Sequence, residues 1–301
     1  MAMRVRAIRI VAVLMCMAAM VLPARAAGRV PVVATFTILA DFVRNVGGAR
    51  VAVTTLVGPG GDVHVYTPTP ADTRKVADAR LMIVNGLGLE GWLPRLVKAS
   101  GGRASVVVAT TGIAVLKDAH GHGHHGDADP HAWQSVPNAK IYVANIRDAL
   151  INADPPGAEV YRRNAEDYLA RLDALDREVR KAVADIPPAR RRVISSHEAF
   201  GYFDAAYGIA FVAPQGVSTE TEPSARDVAT IIRQIRKEKI PAVFLENISD
   251  PRLVERIAAE TGARIGGTLY SDSLTGEKGD APTYIDMVRH NIRTVSSALK
   301  S

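Results

Sequence analysis

The sequence predicts an α/β protein of two lobes with parallel-rich sheets, joined by one long rigid α-helix. Three observations carry this fold class. Apolar, β-branched runs alternate with helical stretches over residues 30–109 and again over residues 192–268, the pattern of βαβ units. Between the two blocks one apolar seam recurs at helical spacing for about eight turns, with charge on the remaining faces. A chain of 301 residues is long enough for two lobes, each of roughly 130 residues.

Residues 1–26 read as an export signal, cleaved from the mature protein. Arg4, Arg6 and Arg9 precede an apolar run of 13 residues from Ile10 to Leu22, and Ala24-Arg25-Ala26 offers a small-residue cleavage pattern. Such a run covers about two thirds of a bilayer core and is too short for a membrane span. Cys16 is a poor lipid-anchor site, because Met15 stands where lipid modification calls for a small residue. Cleavage after Ala26 removes four of the 37 Lys+Arg and none of the 31 Asp+Glu, which lowers the formal charge from +6 to +2. No basic stripe interleaved with aromatics remains, so nucleic acid is not an expected partner. The one thiol leaves with the signal, which excludes a disulfide scaffold or a Cys-based zinc finger. Any metal site must then use His, Asp, Glu or water. At 48% apolar and 23% charged residues the chain is not disordered.

The N-terminal lobe is expected over residues 27–154. Its buried strands are predicted at residues 30–36, 51–57, 81–85 and 105–109, with helices at 38–46 and 69–79. Residues 155–187 form the predicted connecting helix. Asp154 can cap it and Pro155-Pro156 suits its first turn. Tyr161, Ala165, Tyr168, Leu172, Leu175, Val179, Ala182 and Ile186 make its seam, and Pro187-Pro188 ends it. From Pro156 to Ile186 the helix would be roughly 46 Å long, a stiff strut that predicts small lobe motions. The C-terminal lobe follows over residues 188–301. Strands are predicted at 192–196, 209–213, 242–246 and 264–268, and helices at 224–238, 250–261 and 284–299.

Eight histidines are not scattered at random. His120, His122, His124 and His125 crowd into residues 118–128, a segment without large apolar residues that cannot pack a core and reads as a labile metal-binding loop. His64 lies in the Gly/Pro-rich turn after the second predicted strand. His131 lies in Asp129-Pro130-His131, and His197 directly follows the strand ending at Ser196. Asp272 follows the last predicted strand. In parallel α/β sheets, ligands bind at the carboxyl ends of strands, which makes these four residues candidates as a group. His290 sits in the last helical stretch and reads as structural. Glu220, Glu222 and Glu246 are candidates for supporting roles only.

Six motifs occur in order: GDVHVYTPTP, NGLGLEGW, DPHAW, SHEAFGYF, STETEPS and YSDSL. Together they resemble the metal-binding proteins of periplasmic ABC importers, the cluster A-I group specific for zinc, manganese or iron. The resemblance spans essentially the whole mature chain. It implies two α/β lobes, a long connecting helix and a metal held between the lobes. Matched position by position, it implies that His64 and His131 are the ligands of the first lobe and His197 and Asp272 those of the second. Val63 and Ala71 depart from the usual Pro and Ser near His64, which bears on loop geometry. The third ligand position distinguishes metals in this group, His going with zinc and Glu with many manganese and iron members.

Three imidazoles and one carboxylate suit tetrahedral Zn2+, whereas manganese prefers more oxygen ligands. The expected function is capture of zinc in the periplasm by a monomer, delivery to an ABC permease, and no catalysis. A periplasmic zinc-donor protein is a further expected partner. The alternatives are a manganese- or iron-binding protein of the same group, or a zinc-dependent hydrolase. Against the hydrolase, four protein ligands close a zinc site and no HExxH is present. Binding through three neutral imidazoles competes with protons, and affinity is expected to fall below about pH 6.

Overall fold

In the computed structural model, which describes residues 28–117 and 128–300, the apolar run Val30–Phe36 forms the first strand, β1. Helix α1 (Thr37–Gly47) and strand β2 (Val51–Val57) follow. Helix α2 (Pro70–Asp78) opens on a capping box in which Thr69 and Asp72 satisfy each other's amides. Strand β3 (Leu81–Val84), helix α3 (Leu93–Ala99), strand β4 (Ser105–Val108) and helix α4 (Val136–Ala153) complete the first lobe. The four strands are parallel in the order β2-β1-β3-β4. β1 and β3 are central, and all their residues except Pro31 are buried, as apolar-rich runs covered on both faces require. β2 and β4 correct the expectation of buried strands: both lie at the sheet edges, with Ala52 and Thr54 of β2 exposed and Val106 and Val108 of β4 each 42% exposed.

The connecting helix, α5, spans Ala158–Ala184 and is preceded by a 3-10 turn at Pro155–Gly157. Its 27 residues give a length of about 40 Å, shorter than predicted. Asp154 does not cap it. Instead its carboxylate accepts two hydrogen bonds from the Arg50 guanidinium, at 2.8 and 3.0 Å, and one from the Tyr161 hydroxyl at 2.6 Å. Gly157 is demanded by this cluster, since a Cβ there would meet Arg50 and Asp154 at 2.4 Å. The seam is buried as expected except at its end, where Val183 replaces Ala182. A strict 3.5-residue repeat drifts around a straight 3.6-residue helix, and after several turns the next residue faces the core.

The second lobe contains β5 (Arg192–Ile194), α6 (Gly201–Tyr207), β6 (Ala210–Val212), α7 (Ala225–Glu238), β7 (Ala242–Glu246), α8 (Arg252–Thr261), β8 (Arg264–Leu269) and α9 (Tyr284–Lys300). Its strands are also parallel, in the order β6-β5-β7-β8. Both sheets therefore reverse their winding beside the lobe's first strand, which creates a crevice at the carboxyl ends of the strands.

One apolar core runs through both lobes. It passes from β1, β3, α1 and α4 across the strut seam to α6, α9, Phe244 and Leu269. A separate cluster, including Ile194, Ile231, Val243 and Ile257, lies under α7 and α8. At the junction, the buried Asp41 carboxylate of α1 accepts from the Tyr168 hydroxyl of the strut at 3.3 Å. It also accepts from the Tyr284 amide at the start of α9 at 3.0 Å. Burial pushes this carboxyl up. Among the described residues, no helix is long and apolar enough to cross a membrane.

Candidate metal site

The two crevices face each other, and loops leaving the strand ends bring His64, His131, His197 and Asp272 together. His64 follows β2, His131 precedes α4, His197 follows β5 and Asp272 follows β8. All four are buried. The ring Nε2 atoms of His64 and His197 lie 3.3 and 3.4 Å from Nε2 of His131. Asp272 Oδ2 is 3.2 Å from His64 Nε2 and 3.4 Å from His197 Nε2, and Oδ1 is 3.7 Å from His131 Nε2. Both Asp272 oxygens are buried without a hydrogen bond of acceptable geometry. Three nitrogens and a carboxylate thus point at one small space, with a buried anion that no donor satisfies.

Each histidine is fixed by an acidic residue. Asp62 Oδ1 accepts the His64 amide at 2.8 Å, and Asp129 Oδ1 accepts the His131 amide at 2.9 Å. Asp129 Oδ1 also lies 2.8 Å from His131 Nδ1. Glu246, at the end of β7, takes the amides of Ser196 and His197 on Oε1 at 2.7 and 3.0 Å. Its Oε2 lies 2.7 Å from His197 Nδ1. A carboxylate beside Nδ1 can only accept, by a hydrogen bond at His131 and by a close contact without hydrogen-bond angles at His197, which favours the proton on Nδ1 and leaves Nε2 to face a cation.

The NGLGLEGW motif holds both N-lobe histidines. Trp92 donates its indole N–H to the Val63 carbonyl at 2.8 Å, and Asn85 donates its amide to the Pro130 carbonyl at 2.9 Å. The residue before each histidine is therefore pinned, and Val63 keeps this bond despite its departure from the usual Pro. Glu90, fully buried, accepts from Thr35, Asn85 and Gly86 at 2.7, 2.7 and 3.0 Å and so shapes the loop that carries Asn85. Tyr202 of the SHEAFGYF motif donates to the Asp129 carbonyl at 3.1 Å from the other lobe.

The electrostatics favour a cation. Burial opposes charge on His131, but Asp272 and Asp129 outweigh it and push the imidazole up to about 9. Burial likewise opposes charge on His197, and Glu246 and Asp272 raise it well above the ordinary value. Burial would raise Asp272, yet the two imidazoles hold its carboxyl well below the ordinary range. Protons stabilise this anionic pocket when no other cation does.

Residues 32–298 match the family described as the periplasmic component A of zinc-uptake complexes, ZnuA. The chain belongs to this family. Its members are the substrate-binding components of ABC metal importers, which work with membrane permease subunits and are not enzymes. The hydrolase alternative is thereby excluded. The chain is 39% identical to the iron-binding protein YfeA of Yersinia pestis, over 91% of this chain and 88% of that one. It is 37% identical to the manganese-binding lipoprotein MntA of Halalkalibacterium halodurans, over 89% and 88% of the two chains. The periplasmic zinc-binding protein TroA of Treponema pallidum superposes with a TM-score of 0.85 at 33% identity, covering 90% of this chain and 99% of that one.

All four predicted candidates meet in the cleft. His120, His122, His124 and His125 lie outside the described residues, as does the expected export signal at residues 1–26. His290 stands apart, its Nε2 3.0 Å from the Thr268 carbonyl and its ring against Tyr270. Asp62 and Asp129 were not among the predicted residues, although the repeated D-x-H spacing at Asp62/His64 and Asp129/His131 marks them both. Glu246 emerges as the carboxylate behind His197. Glu220 and Glu222 are exposed, with Glu220 at the rim of the groove beside His64.

Proposed function

We propose that this chain captures Zn2+ through His64, His131, His197 and Asp272 and delivers it to an ABC permease. The observation that carries the reading is the set of five donor separations between 3.2 and 3.7 Å. Zinc bonds of about 2.0–2.1 Å at tetrahedral angles put ligand atoms roughly 3.3–3.4 Å apart. Three imidazoles also favour zinc over manganese, which takes more oxygen. The iron- and manganese-binding names of the two sequence relatives favour a second reading, a manganese or iron carrier on the same four residues. Metal analysis of protein isolated from its native compartment, with competitive titration of zinc against manganese, tests the choice. Zinc in the isolated protein and tighter zinc binding support the first reading; manganese or iron in both roles replaces it.

Residues 1–26 act in this reading as a cleaved signal that delivers a monomer of two lobes, residues 27–154 and 188–301, to the periplasm. His120, His122, His124 and His125 supply an auxiliary, weaker zinc site that accepts metal from solution or from a donor protein. The ends of their segment support this role. Lys117 and Ala128 form an antiparallel bridge, and the amide of Asp129, the residue that holds His131, donates to the Leu116 carbonyl at 2.9 Å.

A further inference from the structure

The two sides of the metal cleft are tied unequally. On the His131 side, the N-lobe side chains Trp133 and Gln134 both donate to the carbonyl of Ser271 in the other lobe, at 2.9 and 2.7 Å, and all three residues are buried. On the His64 side, the turn is anchored at its start by the Gly60 amide on Ser273 Oγ at 2.8 Å. Beyond that, among the described residues, the hydrogen bond from the second lobe to residues 61–66 is a single one. The Thr219 hydroxyl donates to Asp62 Oδ2 at 2.6 Å. Asp62 Oδ1 meanwhile accepts the His64 amide. One carboxylate therefore joins a residue of the second lobe to the backbone of a histidine in the cleft.

His64 is also the most accessible of the four candidate ligands. Its side chain is 3% exposed while those of His131, His197 and Asp272 are at 0%. A groove of about 610 Å3 runs along it, lined by Tyr66, Trp92, Arg95, Leu96 and Glu220. Thr219 itself is only half-buried and sits in the segment 215–224. That segment starts from the His197 strand end, where the Glu198 amide donates to the Gln215 carbonyl at 3.1 Å. It ends at Ser224, which caps α7.

We propose that Thr219 is a positioning residue for metal retention. Its hydroxyl latches residues 215–224 onto Asp62 and so keeps His64 turned toward the cation. Release then begins with loss of this bond and rotation of His64 toward the groove, while the Trp133–Ser271 side stays closed. The proposal rests on the reading of the four residues as a metal site.

The test uses the full chain and its Thr219→Val and Thr219→Ser variants, each loaded with one equivalent of zinc and, separately, of manganese. Stoichiometry is measured first, then the rate of release into excess chelator. The Val variant should bind one equivalent and release it about tenfold faster, the scale set by one hydrogen bond to an ionised carboxylate. The Ser variant, which keeps the hydroxyl, should release at the unaltered rate. A Val variant as slow as the unaltered chain, or a Ser variant as fast as Val, overturns the latch while leaving the metal site in place. Absence of tight binding in the unaltered chain overturns both.

Discussion

Trp133, two residues beyond His131, donates its indole N–H to the carbonyl of Ser271, one residue before Asp272, at 2.9 Å. Histidine and aspartate come from different lobes, yet their neighbours are directly bonded across the cleft. Gln134 adds a second donor to the same carbonyl at 2.7 Å, and the Tyr284 hydroxyl donates to the Trp133 carbonyl at 2.7 Å. The cleft is thus closed on this side by buried bonds that do not need a metal.

Trp133→Phe should keep most of the packing and remove one donor, with Gln134 still satisfying Ser271. A loss of about 1 kcal/mol for the bond is expected, with about 1–2 kcal/mol more for the space the smaller ring leaves at this fully buried site. The double change Trp133→Phe, Gln134→Leu leaves the buried carbonyl without a partner and should cost about 2–4 kcal/mol beyond that space. Urea denaturation of the metal-free chain measures both. Equal costs for the single and double variants would show that the carbonyl finds another donor.

Glu246→Gln isolates the role of the carboxylate behind His197. Glutamine can still accept the amides of Ser196 and His197 through its oxygen. Its NH2 group would then face Nδ1, which must become an acceptor, and the imidazole proton would move to Nε2, the atom that faces the cleft. Zinc affinity should fall by roughly 10–100-fold, whereas Asp129→Asn keeps the one oxygen that serves both the His131 amide and Nδ1 and should cost less. Competitive zinc titration reads the affinity, and nitrogen NMR of the ring reads the tautomer. An unchanged tautomer with unchanged affinity would remove Glu246 from the site's support.

The pH dependence is shifted from that of a free imidazole. His131 is raised to about 9 by Asp272 and Asp129, above the ordinary value of about 6.5. Its contribution to the stability of the metal-free chain is fully present below about pH 6.5 and is lost as pH rises through about 9. Asp272 acts oppositely, because its folded value is depressed. Its contribution is present above about pH 3.9 and is lost only in stronger acid. Zinc must displace the imidazole protons, so affinity should climb between pH 6.5 and 9 instead of levelling off above about pH 6. Calorimetry in buffers of different ionisation enthalpy should show proton release at pH 7.5. Binding without proton release at that pH would contradict the ion-paired metal-free site.

Much of this architecture is legible in the sequence. β1, β2 and β7 match their predicted bounds to the residue; β1 and β7 are central strands whose largely apolar runs reflect burial, whereas β2 is legible from its β-branched residues although it lies at a sheet edge. The short helices α3 and α6 were not among the predicted elements. Seven residues give about two turns, too few to display a period. α4 was also missed, although Ser135 followed by Pro137 marks its start. The four candidate ligands were visible as chemistry at strand ends. The bonds Thr219–Asp62 and Trp133–Ser271 join residues more than a hundred positions apart, and no local pattern encodes such pairings.

The segment carrying His120, His122, His124 and His125 permits a test that separates capture from retention. Its glycines and lack of apolar residues mean that holding four imidazoles in one geometry would cost ordering entropy. The cleft residues bear no such cost, since Asp62, Asp129 and Glu246 already fix the three histidines. Zinc bound to the segment should therefore be weaker than zinc in the cleft. Deleting residues 119–126 should leave one tightly bound zinc per chain and remove only the weaker binding, both read by titration. Loading from a chelated zinc source should slow, because the first contact near the base of the His131 loop is gone. Loss of the tight site on deletion would mean that the segment supplies ligands to the cleft. Loading at the original rate from every source would reduce the segment to a zinc buffer or a passive insertion.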